Sequence, residues 1–212
     1  MFWRASLERL KRHLLLKVAG TTAFIAVFFV GYFHVLRHPA YEVTLMPQIF
    51  LDRLIGFQPA ALLPYASLWL YVGIAPALLY SFRALLAYGV WIGALCLAGL
   101  ACFHFWPTAI PANLVDTAQY PGFALIQGLD APGNACPSLH VATAVFSAVW
   151  LDRLLRELDA AWPMRAINWG WFALIAWSTM AVKQHVALDV LAGSLLGLAF
   201  ALPSLRLRPA SL

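Results

Sequence analysis

The stretch LLLKVAGTTAFIAVFFVGYFHVL, residues 14–36, decides the architecture. Only Lys17 and His34 interrupt it, both near its ends. A helix needs roughly 20 apolar residues to cross a hydrocarbon core of about 30 Å, and this run supplies them. Similar runs follow near residues 60–82 and 86–106, with shorter or more polar ones near 137–152, 165–182 and 185–203. The pattern predicts an all-α polytopic membrane protein: a six-transmembrane-helix bundle with short interfacial helices, forming one domain over residues 1–212.

Composition supports this solvent. Of the 212 residues, 63% are hydrophobic and 11% charged, too few ionisable groups to cover a soluble globule of this size. Arg4, Arg9, Lys11 and Arg12 precede the first run, which is too long for a secretory signal and has no small-residue cleavage site, so an uncleaved span is expected. With this end inside, Arg83, Arg153, Arg156, Arg165, Arg206 and Arg208 share its side, and only Arg37, Arg53 and Lys183 lie opposite. That distribution satisfies the positive-inside rule. The net charge of +5 thus reflects orientation in a bilayer and does not point to nucleic acid. Cys96, Cys102 and Cys136 show no paired spacing, and no disulfide is expected.

Two outer connections are long. Glu42 to Pro59 mixes Leu45, Ile49, Leu54 and Phe57 with Asp52 and Arg53, as an interfacial helix does. Pro107 to Cys136 holds Pro107, Pro111, Pro121, Pro132 and Gly133, which break helix. Gly89 with Gly93, and Gly193 with Gly197, have the four-residue spacing that brings membrane helices close together.

The chemistry gathers in two clusters. Asn134-Ala135-Cys136-Pro137-Ser138-Leu139-His140 precedes the fourth span, with Pro137 suited to a helix's first turn and Asp130 and Asn134 shaping the turn before it. Ser138 and His140 then sit at a helix amino terminus, whose N–H groups and dipole attract phosphate. Lys183-Gln184-His185-Val186-Ala187-Leu188-Asp189 opens the sixth span, where a four-residue step lets the Asp189 carboxylate orient the His185 imidazole. Counting spans puts both clusters at the same, outer side of the membrane.

Pro137-Ser138-Leu139-His140 resembles the second motif, and His185 with Asp189 the third, of the type-2 phosphatidic acid phosphatase superfamily, which includes vanadium haloperoxidases. The fuller pattern, with Lys183-Gln184-His185, looks closest to a branch containing inositol phosphorylceramide synthases. The resemblance covers mainly residues 107–197. It implies that His185 attacks phosphorus to form a phosphohistidine, Asp189 holds its tautomer, and His140 protonates the leaving oxygen and then activates water or an acceptor hydroxyl. It also implies phosphate binding by Ser138, with Lys183 substituting for an arginine, and no cofactor or metal. The family's first motif is not found: Ala112 and Asn113 stand where its arginine and proline are expected, and Ser178-Thr179 replaces the Ser-Arg of the third.

His13, His34, His38 and His104 read as ordinary interfacial residues. His140, His185 and Asp189 are suitable ligand types for zinc, but the metal-free reading takes precedence. The leading expectation is a lipid phosphate or diphosphate phosphatase in a bacterial inner membrane, its amino terminus cytoplasmic and its site periplasmic. Transfer of a phosphorylated head group between lipids is the first alternative. A non-catalytic lipid-binding or transport protein, suggested by the missing arginines, is the second. The partners implied are a lipid phosphate and the bilayer; oligomeric state stays open.

Overall fold

The computed structural model describes residues 2–111, 120, 122–123 and 133–207. Ala112, Asn113, Pro121, Asp130, Pro132 and Arg208 lie outside the described residues. Helix α1 (Phe2–Lys11) leads into α2 (Leu14–Arg37), and the short α3 (Phe50–Leu54) follows. A 3-10 turn (Pro59–Ala61), α4 (Leu62–Ala66) and α5 (Leu68–Leu78) run on end to end. Then come α6 (Phe82–Phe105), α7 (Leu139–Glu157), α8 (Trp162–Ala181) and α9 (Ala187–Arg206).

Four helical stretches are long and apolar enough to cross a membrane: 14–37, 59–78, 82–105 and 187–206. The fourth and fifth expected spans fall on helices α7 and α8, neither of which is among the four long and apolar enough to cross. Helix α7 is the centre of the bundle, packed by α5, α6, α8 and α9, and most of its residues are buried. It needs no lipid-facing stripe, and it ends in Asp152, Arg153, Arg156 and Glu157. Trp150 fills its middle, donating its indole N–H to Ser204 Oγ at 2.8 Å.

Glycine sets how α7 and α9 meet. A Cβ on Gly193 would clash with the Ser138 carbonyl oxygen, and one on Gly197 with that of Ala142. The paired positions 138 with 193, 142 with 197 and 150 with 204 rise together, so the two helices run parallel. The second expected glycine pair behaves differently. Gly93 meets the Phe24 ring, whereas Gly89 has no neighbour within reach of a Cβ and borders a cleft. Gly93 with Phe24 and Gly31 with Leu100 also make α2 and α6 parallel.

The fold departs from all-α in one place. Strand β1 (Thr44–Leu45) pairs in parallel with β2 (Thr108–Ala109), and Ala109 bridges to Gly133. The backbone of these connections has no helix to pair its N–H and C=O groups, so the two outer connections satisfy each other. The interfacial segment takes the shape of α3: Phe50 and Leu54 face outward and Asp52 is buried. The amino-terminal cations gather near residues 77–80. The Arg12 guanidinium lies 3.9 Å over the Tyr80 ring, and Lys17 Nζ donates to the Arg9 and Ala77 carbonyls at 2.7 Å each.

Candidate active site

Ser138 is the N-cap of α7. Its hydroxyl accepts from Val141 N at 3.3 Å, and its own N–H donates to the Asp189 carbonyl at 3.1 Å. Pro137, expected inside the first turn, stands one residue before the cap, because the cap position goes to the side chain that can accept an N–H. Thr108 holds the approach, accepting from Cys136 N at 2.8 Å, and Asn134 adopts positive φ with its amide on the Tyr32 carbonyl. These contacts direct His140, in the first turn of α7, into the bundle.

The second cluster is built on a helix end. Val182 closes α8, Lys183 takes φ 60°, and its N–H and that of Gln184 donate to the carbonyls of Met180 and Thr179. This double bond pattern is the Schellman motif, with lysine where glycine is usual. The lysine's ammonium reaches the carbonyls of Asp52 and Ile55. His185 follows, one residue outside the N-cap Val186, so it does not share a helical face with Asp189 as the four-residue step suggested. The two still meet: His185 Nδ1 lies 3.4 Å from Asp189 Oδ2, which also accepts from Val186 N at 3.0 Å.

Asp52, absent from the sequence reading of the site, clamps this loop. Its Oδ1 accepts from Ala187 N at 2.7 Å and its Oδ2 from Ile49 N at 2.8 Å. A third tie runs from Gln58 N to the Ala181 carbonyl. Tyr65 was missed as well: its ring stacks on His140 at 4.3 Å between centroids. A carboxylate amid Ile49, Phe50 and Leu51 was the one available hint; nothing distinguished Tyr65 from an interfacial tyrosine.

His140 and His185 line one cleft of about 460 Å³ between α2, α5, α6 and α7. His185 also borders a second cavity of about 10 Å³ with Asp52, Lys183 and Gln48. Ser138 and Asp189 are fully buried behind these walls. The structure thus joins His140, His185, Asp189 and Lys183 through shared cavities and contacts, and keeps Ser138 behind them as a cap.

Among the described residues, four buried side-chain polar atoms lack a hydrogen-bond partner: Ser6 Oγ, His140 Nε2, His185 Nδ1 and Asp189 Oδ1. Three of the four belong to this cluster. Burying a polar atom unpaired is costly, so such a concentration sets this cluster apart from the rest of the described bundle. Beside it, burial and the nearby Asp189 push the Cys136 thiol up to about 11, so at neutral pH it is neutral and a poor nucleophile. No group of three or more His, Cys, Asp or Glu side chains among the described residues is arranged to hold a metal ion.

Fold and site together define a helical protein with apolar, membrane-length helices and a histidine–histidine–aspartate cluster at the mouth of an apolar cleft. Residues 104–211 match the PAP2 superfamily, and the chain belongs to it. Membership supports phosphatase-type activity toward phosphorylated lipids, in a superfamily of phosphatases and phosphotransferases. Neither a curated protein nor a solved structure gives a significant match.

Proposed function

We propose that the chain is an integral membrane lipid phosphate or diphosphate phosphatase that works through a phosphohistidine on His185. Its carrying observation is the cluster of unpaired buried atoms on His140, His185 and Asp189. In this reading His185 Nε2 attacks phosphorus and the bond from phosphorus to the leaving oxygen breaks. Asp189 keeps the proton on Nδ1 and stabilises the imidazolium; their 3.4 Å separation shortens when substrate is bound. His140 gives its proton to an alkoxide leaving group, whereas a lipid diphosphate leaves as a phosphate monoester and needs less help. Water, losing a proton to His140, then attacks the phosphohistidine and frees inorganic phosphate.

The positive end of α7, capped by Ser138, draws the phosphoryl oxygens. Lys183 contributes charge at the small cavity while tethering α3. That cavity, about 10 Å³, is close to the smallest that holds one water, which favours hydrolysis over transfer to a bulky polar acceptor. The resemblance of Lys183-Gln184-His185 to the synthase branch keeps head-group transfer as the second reading. We further propose a single unit with six membrane crossings, an inside amino terminus and the site at the outer face of a bacterial inner membrane. The parallel pairs α2 with α6 and α7 with α9 fit such alternation.

The decisive experiment incubates purified protein and His185→Ala with lipid phosphates and diphosphates, with and without hydroxyl acceptors. Inorganic phosphate released by wild type alone is expected. Release that survives His185→Ala refutes the assignment, and a new phosphodiester lipid moves it to transfer.

A further inference from the structure

The two imidazoles are held in unlike ways. His185 faces a carboxylate, its Nδ1 3.4 Å from Asp189 Oδ2. His140 faces α4, whose five residues include no charged side chain. Tyr65 of that helix is buried and makes two contacts with the ring. Its phenol ring lies nearly parallel to the imidazole, with 4.3 Å between centroids and 19° between planes. Its backbone also hydrogen-bonds the imidazole. Tyr65 stands in the last turn of α4, where carbonyls have no partner within the helix, so the carbonyl is the group that takes the ring's N–H. Nε2 of His140 is buried without a partner, which leaves Nδ1 as the donor.

A neutral imidazole carries one N–H and one lone pair, and the bond made by one nitrogen decides the state of the other. With the proton on Nδ1 toward Tyr65, the lone pair of Nε2 stands on the far side of the ring. His140 lines the same cleft as His185, so that lone pair is placed for the reaction. A neutral carbonyl stabilises an imidazolium less than a carboxylate does, which suits a ring that must give up and regain its proton in each cycle.

We propose that Tyr65 is a positioning residue that holds His140 in its Nδ1–H tautomer, so that Nε2 alone carries protons to and from the reacting groups. This rests on the lipid phosphatase reading and deepens it by giving one nitrogen both proton transfers. In the first step the imidazolium gives its Nε2 proton to the departing alkoxide, as the phosphorus–oxygen bond breaks and the bond to His185 forms. The ring is left neutral, with its Nδ1 proton in place. In the second, water gives a proton to the Nε2 lone pair as its oxygen bonds to phosphorus and the bond from phosphorus to His185 breaks. That restores the imidazolium, and the Nδ1 proton never leaves the Tyr65 carbonyl.

The test reads the ring itself. Protein with its six histidines labelled with a nitrogen isotope is studied by solid-state NMR in nanodiscs at alkaline pH, and His140→Gln identifies the signals of that residue. Wild type is expected to show His140 with Nδ1 protonated and Nε2 bare. Tyr65→Phe keeps both the ring and the carbonyl and is expected to match it. Tyr65→Leu loses the stack, and the proton is expected to divide between the two nitrogens. Activity is read on two lipids with the same tails: dioleoyl phosphatidate, which expels an alkoxide, and dioleoylglycerol diphosphate, which expels phosphatidate. Tyr65→Leu is expected to lower kcat/KM about tenfold or more for the first and less than about threefold for the second, since only the alkoxide needs the acid. A loss of structure alone lowers both alike. A wild-type His140 with its proton on Nε2, or equal losses on the two lipids, overturns the proposal and leaves the phosphatase reading standing. The expected tautomer in a protein that releases phosphate from neither lipid upholds the hold by Tyr65 and defeats the phosphatase reading. Where Tyr65→Leu does not fold, the wild-type spectrum decides.

Discussion

Each of the three cluster side chains has a distinct structural burden. His140 is packed by Tyr65 and its Nε2 is unpaired, so His140→Ala should lower turnover by about 10²–10⁴, the range of general acid–base contributions, with unfolding little changed. Asp189 also caps α9, so Asp189→Ala mixes lost activity with about 1 kcal/mol of lost capping, while Asp189→Asn retains an acceptor for Val186 N. Comparing the thermal midpoints of the two variants separates the effects. Cys136 gives a pH test: with the thiol raised to about 11, maleimide uptake should be slow at pH 7 and climb about tenfold per pH unit toward that value. Cys136→Ser should keep full activity, and a loss would restore the thiol as a participant. The grouping of His140, His185, Asp189 and Lys183 could be anticipated from the sequence because their spacing and residue types carry chemistry. Asp52 and Tyr65 were not, because their importance comes from long-range contacts, 135 residues from Asp52 to Ala187, that no local pattern encodes.

At the level of elements, the loop between α8 and α9 depends on α3. Asp52→Ala would leave the N–H groups of Ala187 and Ile49 without their acceptor, at about 1–3 kcal/mol for each that stays buried. We expect kcat to fall more than KM rises, since the imidazole is misplaced while the cleft is intact; equal changes in the two would argue against a positioning role. Lys183→Gly suits the left-handed turn better but removes the tie to α3, so it should hold stability while lowering activity. Helix lengths were readable from apolar runs, and α2, α6 and α9 fall close to the expected limits. Helix α7 was harder to place because its partners are other helices, which frees its composition from the demands of lipid. The β1–β2 pairing was invisible: two residues per strand leave no alternation to detect.

For the whole molecule, the close seam between α7 and α9 governs stability. Gly197→Ala puts a methyl against the Ala142 carbonyl and Val145, and Gly193→Ala puts one against Ser138. Each should cost about 1–3 kcal/mol, seen as a lower unfolding temperature in detergent, whereas Gly89→Ala should be neutral. Equal behaviour of all three would contradict the packing. The same seam has a mechanical consequence. One imidazole sits at the head of each helix, and the two helices are locked backbone to backbone just beneath them. Thinning or thickening of the surrounding lipid tilts the joined pair as a unit, leaving the ring-to-ring spacing indifferent to the host bilayer's thickness.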